Sequence, residues 1–80
     1  MTISEAVTQR LKQLLKEKGM TLYQLEKKTC VSHDTVKSIV KGKTKGVSLR
    51  TLVNLTEGLN MTVSEFLDSD LFDYSNLDID

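Results

Sequence analysis

The sequence contains no proline, a single cysteine and no long uninterrupted apolar run. Each scarcity removes a class of protein. Cys30 on its own closes no intrachain disulfide, so the fold is held by packing, as suits a reducing compartment. Glu5, Arg10, Lys12, Lys16, Glu17 and Lys18 interrupt what would otherwise be the apolar core of a signal peptide. No stretch has the apolarity of a bilayer span, and the expected location is the cytoplasm, away from membranes. Strand-like alternation of useful length is also missing. With proline absent as well, an all-α bundle is the natural reading.

Size limits the chemistry. A domain of 80 residues hides only roughly 60% of the surface of its unfolded chain, which leaves no room for a deep catalytic cleft. Cys30 and His33 are the only Cys and His residues, too few for a tetrahedral zinc site. As a nucleophile pair they also lack an orienting group and a pocket. The expectation is therefore a protein without metal, cofactor or enzymatic activity.

What is present is charge, unevenly placed. Lys and Arg number 11, Asp and Glu number 11, and the formal net charge is zero. All 11 bases and 6 of the acids lie in residues 1–67 (11 − 6 = +5), whereas residues 68–80 carry 5 acids and no base (0 − 5 = −5). The chain thus divides into a basic domain, 1–67, and an acidic C-terminal tail, 68–80.

Apolar spacing predicts five helices in the basic part. Ile3, Val7, Leu11 and Leu14 repeat at helical period, with Thr2 and Glu5 as a capping box and Gly19 as a stop, giving helix 1 over about residues 3–18. Thr21 and Gln24 box a short helix 2, about residues 22–29, with Leu22 and Leu25 inward. Ser32 caps helix 3, whose apolar residues are Val36, Ile39 and Val40 and whose end is Gly42. Ser48 caps helix 4, in which Leu49, Leu52, Leu55 and Leu59 share a face and Asn60 suits a left-handed stop. Thr62 and Glu65 box helix 5, with Val63, Phe66 and Leu67.

Two short helices joined by about three residues can set the second in a DNA major groove. The stretch MTLYQLEKKTCVSHDTVKSIVKG, residues 20–42, resembles the helix-turn-helix of phage Cro and repressor proteins, the XRE family. Leu52, Leu55, Leu59, Asn60, Met61, Thr62, Val63, Glu65 and Phe66 look like the later helices of that family, so the resemblance covers roughly residues 5–67. It implies a lambda-repressor-like domain with the helix-turn-helix in helices 2 and 3, and sequence-specific regulation of transcription, as a repressor, on double-stranded DNA. Two residues depart from the pattern. Glu26 stands where a small residue is usual near the helix crossing, and its carboxylate is expected to reach solvent along an apolar stem. Cys30 stands for the usual turn glycine, where a left-handed backbone would cost on the order of 1 kcal/mol.

At about 100° per residue, Asp34, Lys37, Ser38 and Lys41 gather on the side of helix 3 away from its apolar residues. The base-contact positions of the family match His33, Asp34 and Ser38, with Lys37 beside them. Lys can bond guanine, Asp can accept from cytosine N4, and Ser is unspecific. Asp34 has a second role open to it, stabilising the helix N-terminus through its dipole. Lys41, Lys43, Lys45 and Arg50 are candidates for phosphate contacts, joined by Thr21, Leu22 and Tyr23 at the start of helix 2, where free N–H groups can hold a phosphate. Tyr23 can add its hydroxyl or cover the core edge.

So small a reader is expected to work as a homodimer on two half-sites. Met61, Val63, Phe66 and the apolar tail residues are candidates for the contact. The rival reading is a protein-interaction module on the same fold, antitoxin-like or anti-repressor, with a protein partner docking through the acid-and-apolar segment 70–80. Three fates are open to that tail: a last turn on the body formed by Leu71 and Phe72, a part in the dimer, or competition with phosphates for Lys43, Lys45 and Arg50.

Overall fold

A computed structural model describes residues 1–78. Ile79 and Asp80, the end of the acidic tail, lie outside the described residues. The order is α1 (Ile3–Glu17), α2 (Leu22–Lys28), α3 (His33–Val40), α4 (Leu49–Gly58) and α5 (Val63–Leu67), followed by two 3₁₀ turns, Asp70–Phe72 and Tyr74–Asn76. Among the described residues there is no strand.

Local chemistry fixes the helix ends. Thr2, Thr21 and Thr62 each accept from the backbone N–H three residues on, and Glu5, Gln24 and Glu65 return the bond to the cap N–H at 2.9 Å. Ser32 and Ser48 cap α3 and α4 in the same way, accepting from Thr35 and Thr51 N–H. The stops also follow the sequence. Gly19, Gly42 and Asn60 have φ of 60°, 71° and 57°, and in each case the next residue's N–H donates back across the last turn: Met20 to Leu15, Lys43 to Ser38, Met61 to Thr56.

Every helix contributes to one core, in which Leu11, Leu25, Val36, Ile39, Leu55, Leu59 and Phe66 are fully buried. α1 packs on α3 and α2 on α4, so the two helices of the motif are each backed by a different neighbour. Two residues predicted on inward faces lie outside: Ile3 is half-exposed and Leu49 is 68% exposed. Both open their helices, and a helical side chain tilts toward the N-terminus, which at the first position carries it past the packed layer. Phe66, a candidate for the dimer contact, is wholly buried and is a core residue.

The acidic segment folds back on the body. Phe72 packs against the core with its ring centroid 6.0 Å from that of Phe66, and Asp70–Phe72 lies against α1. The amino group of Met1 donates to the Asn76 carbonyl oxygen and pairs with Asp78 at 3.2 Å, while Asp78 N–H donates to the Met1 carbonyl oxygen. Among the described residues no ion pair joins the tail to Lys43, Lys45 or Arg50.

Candidate nucleic-acid interface

α2 and α3 are joined by residues 29–32. Cys30 is exposed, and its backbone is not left-handed: among the described residues Asn60 is the one non-glycine residue with positive φ. The turn is made differently from the sequence-based expectation. Thr29 leaves α2 in an extended conformation, and its hydroxyl accepts from Val31 N–H and donates to the Asn54 carbonyl oxygen of α4 at 3.0 Å. A side-chain hydrogen bond thus turns the chain where glycine would do so by φ alone. Gly58 lets α4 come this close, because a Cβ there would stand 2.8 Å from the Thr29 Cβ.

Glu26 also differs from expectation. Its carboxylate does not run to solvent; its side chain is 15% exposed and its Oε2 stands 2.9 Å from His33 Nδ1. The pair ties the body of α2 to the first residue of α3. Behind α3, the buried Thr8 hydroxyl donates to the Ile39 carbonyl oxygen at 2.6 Å, fixing the helix from the α1 side. The outer surface is therefore presented by a helix held at both ends.

On that surface Asp34, Lys37, Ser38, Lys41 and Lys43 line one depression of about 260 Å³. The first four share a face by helical period. Lys43 joins them because Gly42 turns the chain and Lys43 N–H donates to the Ser38 carbonyl oxygen at 3.0 Å. Lys45 and Arg50 are exposed nearby in sequence, in the loop and at the start of α4. None of Lys37, Lys41, Lys43, Lys45 or Arg50 has a side-chain hydrogen bond or ion pair among the described residues. Within the fold these are free positive charges.

The start of α2 is divided. Thr21 N–H is engaged by Gln24 and the Thr21 hydroxyl accepts from Gln24 N–H, whereas the N–H groups of Leu22 and Tyr23 have no partner among the described residues. Tyr23 does not cover the core edge. The residue is 63% exposed, and its ring carries the Lys27 ammonium 4.6 Å from the centroid, so aromatic ring and cation form one unit. Among the described residues no cluster of His, Cys, Asp or Glu fit to hold a metal is formed, and no helix is long and apolar enough to cross a membrane.

Glu26, Thr29, Gly58 and Thr8 escaped the sequence-based reading of the site. Only Glu26 left a signal, as a departure from the small residue usual at its position. The others act through partners 25 to 31 positions away, which no local pattern encodes.

The architecture defines the class: a small helical domain presenting the second helix of a helix-turn-helix. The family model of the Cro/C1-type HTH DNA-binding domain matches residues 10–71, and the chain belongs to that family. No curated protein and no solved structure matches it.

Proposed function

We propose that the protein is a transcriptional repressor that reads double-stranded DNA through the major groove with α3, acting in the cytoplasm as a homodimer and without catalysis. The observation that carries this reading is the single depression lined by Asp34, Lys37, Ser38, Lys41 and Lys43 in a Cro/C1-type domain. Polar groups with distinct donor and acceptor patterns are what base edges require, and unpaired lysines are what phosphates require. In this scheme His33, Asp34, Lys37 and Ser38 meet base edges. Lys41, Lys43, Lys45 and Arg50 hold phosphates, with the N–H groups of Leu22 and Tyr23 on a further one.

Pairing of two copies through the α4–α5 face completes the scheme. Val53, Met61 and Val63 border an open groove of about 460 Å³ there, and Val53 is half-exposed. A twofold contact would set the two α3 helices for half-sites about one DNA turn, roughly 34 Å, apart. The protein-interaction reading has lost part of its basis, because Leu71 and Phe72 of the acidic segment are half-buried on the body.

Titration of random-sequence duplex at several salt concentrations separates the two classes. The regulator binds, its affinity falls linearly in log–log form with salt, and Lys43→Ala lowers the slope by about one. A protein that leaves duplex DNA unbound even at low salt contradicts the proposal.

A further inference from the structure

We infer that Glu26 is a positioning residue that sets the tautomer of His33, and so decides which base edge the first residue of α3 can read. The inference rests on the major-groove reading above and adds a residue that touches no DNA. Its basis is the 2.9 Å contact between Glu26 Oε2 and His33 Nδ1. A carboxylate only accepts, so the hydrogen in this contact belongs to Nδ1. The other ring nitrogen then depends only on the charge of the ring. In the neutral imidazole Nε2 carries a lone pair and is an acceptor; in the imidazolium it carries a hydrogen and is a donor.

Location gives this choice a consequence. His33 is the first residue of α3, its side chain is 59% exposed, and Nε2 has no partner among the described residues. The N-terminal residues of a recognition helix are those that approach base edges. A neutral His33 held by Glu26 therefore offers an acceptor to the groove, complementary to the amino groups of cytosine N4 or adenine N6. The opposite tautomer would offer a donor, complementary to guanine O6 and N7. Glu26 is itself well placed to impose the choice: its side chain is 15% exposed and comes from the neighbouring helix, so the pair is shielded on one side and fixed across the turn. The small residue usual at this place in the motif has no carboxylate to offer.

The chain has one histidine, so its imidazole nitrogens can be assigned without ambiguity. The ¹⁵N shifts of His33 are to be recorded in alkaline buffer, where the ring is neutral, in the unsubstituted protein and in Glu26→Gln. Gln keeps the volume and can either accept from Nδ1 or donate to it, so it releases the tautomer without emptying the contact. Bound sequences are then selected from a random duplex pool at the same pH. The expected result is Nδ1–H in the unsubstituted protein and a mixture in Glu26→Gln. At one position of each half-site, the preference for cytosine or adenine over guanine falls by about fivefold in the variant, as for one lost hydrogen bond. His33→Ala removes the preference at the same position, and thermal melting shows that both variants remain folded.

An Nε2–H tautomer in the unsubstituted protein overturns the inference, whatever the DNA result. A consensus identical in the unsubstituted protein and Glu26→Gln, with the tautomer changed, overturns the readout while leaving the proposed function standing. Failure of the unsubstituted protein to bind any duplex overturns the proposed function, and the readout with it.

Discussion

Arg10 and Arg50 are the same residue in two regions that use charge in opposite ways. Arg10, on α1, donates from Nε to the Phe66 carbonyl oxygen at 2.7 Å and from Nη2 to that of Glu65 at 2.9 Å, satisfying the open end of α5. Around it the Met1 amino group pairs with Asp78, and Glu5 and Glu65 close their capping boxes. Arg50, at the start of α4, has no side-chain hydrogen bond or ion pair among the described residues, as is true of Lys37, Lys41, Lys43 and Lys45. In the first region Arg10, the Met1 amino group, Glu5 and Glu65 are engaged in holding the fold together. In the second, Arg50 and the lysines of α3 and the loop after it stay unpaired among the described residues, which under the proposed function leaves them for phosphates. The formal net charge of zero conceals this division completely.

Substitution of the groups bonded within the fold should therefore change stability, and substitution of the unpaired cations of α3, its following loop and α4 should change DNA binding. The largest effect is expected for Phe66→Ala, which empties the junction of α5, the core and Phe72. Urea unfolding should show a loss of about 3–5 kcal/mol, large for a domain of this size. A loss under about 1 kcal/mol would mean that the α5 end is not part of the common core.

Gly58→Ala probes the seam between the regions. The added methyl meets the Thr29 Cβ at 2.8 Å, and overpacking of this kind costs about 1–3 kcal/mol. Because Thr29 also turns the chain into α3, the variant should lose DNA affinity beyond its loss of folded fraction. Unchanged melting and binding would show that α4 does not support the turn.

The two arginines test the contrast itself. Arg10→Ala should cost about 1–2 kcal/mol, since two carbonyl oxygens lose charge-assisted partners. Arg50→Ala should stay within about 0.5 kcal/mol in stability and lower the salt slope of duplex binding by about one. Exchanged outcomes would reverse the division drawn here.

The smallest effect concerns pH. Glu65 is held below the usual carboxylate range by Thr62, chiefly through the backbone N–H and then through the hydroxyl, and Glu5 is held down in the same way by Thr2. A lowered folded-state pKa means that the unfolded chain binds the proton more readily. The contribution is thus present above the ordinary carboxylate range and lost as pH falls through the folded value. The difference in melting temperature between the unsubstituted protein and Glu65→Gln should accordingly narrow on acidification from neutral pH. A difference that widens instead would contradict the capping geometry.

Which parts of this were legible in the sequence follows from the range of the interactions. The capping pairs Thr2–Glu5, Thr21–Gln24 and Thr62–Glu65 and the stops at Gly19, Gly42 and Asn60 act within one turn, and all were readable as local patterns. The outer face of α3 was readable because helical period alone brings Asp34, Lys37, Ser38 and Lys41 together. Lys43 joins their depression through a backbone bond that the glycine stop produces. By contrast, Thr8 on the Ile39 carbonyl oxygen, Thr29 against Gly58 and Arg10 on the end of α5 depend on how helices are placed in space. Exposure of Ile3 and Leu49 was missed for a related reason: period assigns a face but not where the packed layer ends.

The central claim is that the outer face of α3 discriminates between bases. Selection of bound sequences from a random duplex pool, carried out with the unsubstituted protein, Lys37→Ala and Ser38→Ala, tests it most directly. Both side chains project from the packed surface, so melting should be little changed. Each variant should shift the base preferred at one position of the half-site by about 1–3 kcal/mol, while other positions hold. A consensus that is the same for all three proteins would contradict the account, because discrimination would then come from some other surface.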